Sequence, residues 1–225
     1  MEAVWSDGAV WARSALADDV LERLDALAGD ERRAGQRVTI SDDWLDLLGP
    51  AGPVGEVARQ VHRAARPVRL ITFNKTSGGN WAIPWHQDRV IAVAERHDVE
   101  CVGNWSRKGE VWHCEPPQDV LERMFFLRIF LDDCDEGSGG MSFAVGSHRL
   151  NVVASGGLVD VIGPCPIATE RASRGDVLAL AMLTAHASSP SRSQANRRIL
   201  RVDYATDSPP APLRFAVDGD QPNRP

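Results

Sequence analysis

His86, Gln87 and Asp88 form a His-x-Asp triplet; His186 stands far downstream, and Arg197 follows it by eleven residues. Two imidazoles and one carboxylate suit a facial triad on a mononuclear Fe(II), filling three positions of an octahedron and leaving three open. A bidentate 2-oxo acid such as 2-oxoglutarate takes two of these and O2 the third. An arginine beyond the distal histidine has the chemistry to clamp the acid's remote carboxylate, because a planar guanidinium makes paired hydrogen bonds to a carboxylate. The triplet alone is a weak signal. With 6 His and 31 acidic residues in 225, about one His-x-acid pair arises by chance, so its weight depends on its surroundings.

Those surroundings read as strands and turns. Val68 to Phe73 is apolar and β-branched, as a strand requires. A Ser77-Gly78-Gly79-Asn80 turn then leads into Trp81-Ala82-Ile83-Pro84-Trp85, which delivers His86 at a strand end. Arg174-Gly175-Asp176 is a turn before the apolar run Val177 to Leu183, and His186 follows that run. Met124 to Leu131 is a strand with one charge, Arg128, and Arg197 to Tyr204 is another on a hydrophobic frame. Side chains alternate along a strand, so Arg201 shares a face with Arg197 while Arg198 points away. Both candidate histidines thus come just past strands, which fits a β-barrel whose mouth holds a metal.

These residues carry a resemblance. From about Arg69 to Tyr204 the chain resembles the phytanoyl-CoA dioxygenase family of Fe(II)/2-oxoglutarate oxygenases. The likeness rests on Trp85-His86-Gln87-Asp88, on Leu131-Asp132-Asp133 with Gly139-Gly140-Met141, and on Val145-Gly146-Ser147-His148-Arg149. Gly175-Asp176, His186 with Ser188, and Asn196-Arg197-Arg198 continue it. The segment between His148 and Gly175 is short for that family. The resemblance implies that His86, Asp88 and His186 bind iron, that Arg197 pairs with the far carboxylate of 2-oxoglutarate, and that O2 is the co-substrate. It also implies a double-stranded β-helix, the jelly-roll or cupin-like barrel, mainly β with flanking helices. Asp88 keeps its carboxylate, where related halogenating enzymes have a small residue, so oxygenation is expected over halogenation. The expected reaction is hydroxylation of a small molecule, amino-acid-like or another specialised metabolite, with release of succinate and CO2; desaturation or ring closure uses the same site. Two other classes suit the same ligands: a metal-dependent hydrolase, and a non-catalytic metal-binding β-barrel.

Other residues have two readings each. Arg128 points into the site, to hold the cosubstrate or a substrate carboxylate, or pairs with an acid at the barrel rim. Asn74 closes the preceding strand within reach of the pocket, whereas Lys75 beside it reads as a solvated turn residue. Trp81, Trp85, Trp105 and Arg201 are candidates for the substrate pocket wall, with Trp112 nearby. His97, His113 and His148 read as surface or structural.

The remainder bounds the problem. Length and composition, 43% hydrophobic and 25% charged, suit one domain over 1–225: a helical part at 1–66, a barrel core at 67–206 and a Pro-rich tail at 207–225. Leu16, Val20, Leu21, Leu24 and Leu27 make one helical stripe ending at Gly29. Ser41 is placed to cap a short helix that Gly49-Pro50 stops, and Val54 to Ala65 reads as a third helix. These helices are expected on the outer face of the major sheet. A short helix starts at Pro116-Pro117, and Val90 to Glu115 reads as a long irregular loop, the candidate lid. Beyond Asp207 only Leu213 to Val217 reads as more than loose tail. A net charge of −6 without a basic block argues against nucleic acid, and the same lack of a basic cluster disfavours an acyl-CoA. No apolar run nears membrane-spanning length and Met1 to Asp7 lacks the pattern of a secretory signal. The four spaced cysteines, 101, 114, 134 and 165, form no C-x-x-C pair, so a cytoplasmic location with reduced thiols is expected.

Overall fold

A computed structural model describes residues 3–29, 35–76, 79–193 and 197–218. Its largest sheet is antiparallel, with strands in the order β1 (Ala9–Ala12), β11 (Val177–Ala181), β8 (Met124–Phe130), β13 (Arg197–Ala205), β3 (Arg66–Lys75) and β2 (Gln36–Val38). A smaller sheet runs β10 (Ile167–Thr169), β9 (Met141–Ala144), β12 (His186–Ser188) and β4 (Ile83–His86). A third joins β5 (Ile91–Val93), β7 (Val111–Glu115) and β6 (Gly103–Lys108). The fold is mainly β and jelly-roll in type, as expected.

The central strands are apolar on both faces because both faces are covered. Along β8, Phe125, Leu127 and Ile129 join a cluster with the helices, while Phe126 and Phe130 turn into the barrel. On β13, Leu200, Val202 and Tyr204 face the helices and Ile199 faces inward. This alternation puts Arg128 on the inner face with Phe126, and Arg197 and Arg201 there with Ile199. Each buried Phe or Leu stabilises the fold by about 1.5–3 kcal/mol, so the apolar neighbours hold these arginines in place.

The helices α1 (Ala3–Asp7), α2 (Asp18–Ala28), α3 (Asp42–Leu48) and α4 (Pro53–Val61) supply Leu21, Leu24, Trp44, Leu47 and Val57 to the outer cluster. Gly29 closes α2 in a positive-φ conformation (φ 62°). Tyr204 reaches out of the sheet to donate to the Leu48 carbonyl at 2.9 Å. The short helix after the proline pair is α5 (Gln118–Glu122).

Several boundaries differ from the sequence reading. Ser41 occupies the N-cap position of α3 but its hydroxyl makes no capping bond. The third helix ends at Val61 rather than Ala65: His62 is extended, and its Nδ1 accepts the Ala64 N–H at 3.3 Å. Pro67 follows closely and favours an extended approach. Trp81 and Ala82 precede the strand, which begins at Ile83. Ser77 and Gly78 of the predicted turn lie outside the described residues, as do Asn196 and residues 219–225; flanking the turn, Thr76 and Gly79 exchange backbone hydrogen bonds at 3.1 and 3.2 Å.

The main correction concerns residues 90–115, which form the third sheet instead of an irregular loop. Gly109 (φ 62°) supplies the positive φ of the β6–β7 hairpin turn. Ile91, Val93 and Cys114 are buried with Leu213 and Phe215, and Val93 bridges to Phe215. Their packing partners, barrel residues such as Val68 and Met124 together with Leu213 and Phe215, are distant in sequence, so the local polarity of the segment conceals the strand character.

Candidate metal centre

The two sheets bring the predicted ligands together. His86 and His186 are paired across β4 and β12, with ring centroids 4.3 Å apart. Asp88 follows β4, and its Oδ2 lies 3.2 Å from His186 Nε2. One ligand atom from each of the three falls within 4.8 Å of the others. Both imidazoles turn Nδ1 to a carbonyl two residues earlier, Pro84 O at 2.9 Å and Thr184 O at 2.8 Å. A carbonyl only accepts, so Nδ1 carries the proton and Nε2 keeps its lone pair for a metal. Burial, then the neighbouring His186, lowers the His86 pKa and favours this neutral form.

Asp88 is prepared as an anion. Burial pushes its carboxyl up, but the Arg201 guanidinium and the two imidazoles outweigh that and hold it well below the usual range. Arg201 donates Nη1 to Asp88 Oδ2 at 2.5 Å and Nε to Asp203 Oδ1 at 2.7 Å, and stacks on Phe126 at 3.9 Å. Arg201 lines the cavity, as its parity requires, but its charge is spent on the candidate ligand. Gln87 fixes the triplet from behind: Nε2 donates to Leu183 O and Asn151 O at 3.0 and 2.8 Å, and Oε1 accepts the Val153 N–H at 2.9 Å.

The ligands open onto a cavity of about 370 Å³ whose wall also carries Arg37, Arg69, Lys108, Arg128, Arg197 and Arg201. Arg128 resolves both of its readings at once: it lines the cavity and forms a bidentate pair with Glu170, whose carboxylate is fully buried and also accepts the Met141 N–H at 2.9 Å. Arg197, 3% exposed, stands 3.6 Å from Glu170, too far for a hydrogen bond. Its Nε and Nη1 have no hydrogen-bond partner. Lys75 is buried rather than solvated, 1% exposed, and donates to the carbonyls of Gly139 at 2.9 Å and Ser189 at 2.5 Å. Gly139 (φ 69°) passes so close to the 189–191 backbone that a Cβ there would meet Ser191 N at 2.6 Å. Burial, then Arg197 and Arg128, lowers the Lys75 amine to about 8. Lys75, Arg128 and Arg197 against one carboxylate leave excess positive charge, and the Ser188 hydroxyl on the same wall is also unpartnered. A carboxylate ligand answers both features. The donor set and the two unpartnered guanidinium nitrogens of Arg197 therefore fit a divalent iron with a bound dicarboxylate.

Other predicted residues fall elsewhere. Trp81 lines the cavity. Trp85 packs instead against Ala144, Leu158 and Ile162, and Trp105 meets Trp112 edge-on at 6.3 Å within the third sheet's cluster. Asn74 is buried but is absent from the cavity wall, because Ile71 and Phe73 of the same strand take the inward parity. Arg198 points away, to Asp132 and Asp25 at 2.7 and 2.8 Å. Sequence reasoning missed Glu170 and Asp203, isolated acids with no pattern around them. Ser188 was visible only through the resemblance.

Comparison with known proteins agrees with this architecture. AviO1 from Streptomyces viridochromogenes Tue57 superposes with a TM-score of 0.63 at 23% identity, covering 93% of each chain. The epimerase SnoN, solved with Fe3+, alpha ketoglutarate and nogalamycin RO, gives 0.62 at 16% identity over 90% of this chain and 80% of its own. EctD from S. alaskensis, solved with 2-oxoglutarate and 5-hydroxyectoine, gives 0.66 at 14% over 90% and 73%. Identities this low speak to the fold alone. A 56-residue stretch is 30% identical to the nitrogenase iron-molybdenum cofactor biosynthesis protein NifE of Klebsiella pneumoniae, spanning 25% of this chain and 12% of that protein. The phytanoyl-CoA dioxygenase family model matches residues 9–199, a span that takes in His86, Asp88, His186 and Arg197, and the chain belongs to that family of oxygenases, which use Fe(II), 2-oxoglutarate and O2.

Proposed function

We propose that His86 and His186, through Nε2, and Asp88, through its carboxylate, hold Fe(II), and that the protein hydroxylates a C–H bond of a small molecule. The observation that carries this reading is the pairing of a two-imidazole, one-carboxylate cluster with a buried arginine, Arg197, whose Nε and Nη1 have no hydrogen-bond partner. When bound, iron and 2-oxoglutarate supply the activation of O2, with oxidative decarboxylation to succinate and CO2 and transfer of one oxygen atom to the substrate. The chain's own residues position and exclude. Arg197 receives the far carboxylate, with Lys75 and Ser188 beside it. Arg128 is neutralised by Glu170 and shapes the wall. Arg201 keeps Asp88 ionised and aimed, and Trp81 covers the cavity next to Lys75, whose Nζ is 5.2 Å from its ring. A metal hydrolase has no use for the Arg197 end, which makes that class the weaker fit.

The test is succinate release with Fe(II), 2-oxoglutarate and a panel of small metabolites, comparing wild type with His86→Ala and Arg197→Ala. The expected result is turnover by wild type alone, with a substrate gaining the mass of one oxygen. A product with unchanged mass or loss of two hydrogens would replace hydroxylation by epimerisation or by desaturation or ring closure. Absence of any Fe(II)-dependent 2-oxoglutarate turnover across the panel would sink the oxygenase role.

A further inference from the structure

The metal-centre cavity adjoins a larger one of about 770 Å³, and both are lined by Arg37, Arg69 and Lys108. The two spaces therefore meet at three cations drawn from β2, β3 and the end of β6. Arg69 Nε donates to Asp203 at 2.5 Å, but Asp203 also serves Arg201. Arg37 and Lys108 have no carboxylate partner among the described residues. The acids on the larger cavity's wall are already matched: Glu110 with Arg107 at 2.5 Å and Asp218 with Arg66 at 3.0 Å. The three cations also repel one another. Burial and then Arg69 lower the Arg37 pKa, and burial followed by Arg37 and Arg69 lowers that of Lys108, which Asp88 partly offsets. Arg37 and Lys108 are exposed at the cavity wall, and in a chain of net charge −6 this grouping makes a locally positive patch.

The rest of the larger cavity is mostly apolar, with Val38, Ile40, Leu45, Val68 and Val111 on its wall. His113 adds a buried acceptor. Its Nδ1 faces the Val111 carbonyl at 3.2 Å and its Nε2 has no partner. A volume of this size suits a ligand of drug-like dimensions, and apolar walls with a few convergent polar groups are what such ligands need.

We infer that the substrate is an amphipathic anion. Its carboxylate or phosphate-type group sits at the neck on Arg37, Lys108 and Arg69, its apolar body fills the larger cavity, and the carbon to be oxidised reaches past the neck to His86 and Asp88. The inference rests on the oxygenase reading and narrows its substrate class.

Calorimetric titration tests it on the full chain, with Mn(II) and 2-oxoglutarate present to occupy the Arg197 end. The probes are octanoate, octyl phosphate, octanol and octylamine. The anions should bind at least tenfold more tightly than octanol, with octylamine weaker still, and the better anion identifies carboxylate or phosphate. Arg37→Ala with Lys108→Ala should cost the anions at least tenfold and octanol less than twofold. Lys108→Glu alone, on an exposed hairpin, should act in the same direction without threatening the fold. Equal binding of octanol and the anions, or unaltered anion binding in these variants, overturns the inference. A separate titration of 2-oxoglutarate into the Mn(II)-loaded wild type distinguishes the failures. Its absence removes the oxygenase reading, whereas its presence without anion preference removes only the anionic substrate.

Discussion

Arg197 and Arg128 are adjacent buried guanidiniums whose replacement should have opposite consequences. Arg128 is satisfied: both Glu170 oxygens pair with it, Glu170 is fully buried and Arg128 is buried at the cavity wall. Truncating one partner of such a pair strands the other charge, at about 3–5 kcal/mol. For a chain of this length about 2–4 °C of melting temperature goes with each kcal/mol, so Arg128→Ala should melt roughly 6–20 °C lower. Arg197 is unsatisfied, with Nε and Nη1 unbonded and Glu170 at 3.6 Å. Removing it relieves about 1–3 kcal/mol of unmet hydrogen-bonding demand, set against lost side-chain packing and a weak attraction. The ligand-free Arg197→Ala protein should therefore stay within about 1 kcal/mol of wild type. Its cost appears on binding. Losing a buried, hydrogen-bonded charge partner is worth about 2–5 kcal/mol, or roughly 30- to 4,000-fold in 2-oxoglutarate affinity. Arg197→Lys should recover only part of that, because an ammonium lacks the planar fork. The assays are melting curves without ligand and calorimetry of 2-oxoglutarate on Mn(II)-loaded protein. If Arg197→Ala melts as low as Arg128→Ala, or binds 2-oxoglutarate within threefold of wild type, Arg197 is structural and the reasoning fails.

Three further outcomes follow from the same geometry. Arg201→Gln removes the group that holds Asp88 ionised and aimed, and should weaken Mn(II) binding about 10- to 100-fold in a direct titration; unchanged affinity would relieve Arg201 of that role. The Lys75 amine is lowered to about 8 in the fold from an ordinary 10.5, so its charged form is penalised fully below pH 8 and the penalty is relieved as pH rises towards 10.5. Ligand-free wild type should gain stability over that window relative to Lys75→Met, and parallel stability–pH curves would contradict it. Tyr204→Phe strands the Leu48 carbonyl that ties α3 to the major sheet. A loss of about 1–3 kcal/mol in urea denaturation is expected, with Mn(II) affinity unaltered.

The chemistry was legible where it lies close to regular elements. The His-x-Asp triplet, the distal histidine and the arginine beyond it are one-dimensional features, fixed by residue type and spacing, and the neighbouring strands β3, β11 and β13 are readable from their apolar and β-branched content. That alternation also separates Arg197 and Arg201, which face inward, from Arg198, which faces Asp132 and Asp25. Trp85 and Trp105 were misplaced for the opposite reason. A tryptophan near the triplet in sequence can pack on either side of an edge strand, and the cluster available to it decides which. Lys75 reads as solvated because a lysine at a strand end usually is; here two carbonyls from distant segments receive it. The strands within 90–115 stayed hidden because their apolar partners Leu213 and Phe215 lie a hundred residues or more downstream of Ile91 and Val93.

The sequence by itself determined the ligand types, the order in which they occur, and the strand periodicity that turns them inward. Those are local properties, carried by covalent spacing and by which faces are apolar. Tertiary structure alone decided which charges are spent and which remain available. Glu170 hydrogen-bonds Arg128 and stands 3.6 Å from Arg197, Asp203 and Asp88 take up Arg201, and Arg37 and Lys108 join Arg69, which shares Asp203, from three separate strands on one neck. Charge interacts through space over a few ångströms and not along the chain, so a basic site assembled from residues 37, 69 and 108 leaves no basic block to read.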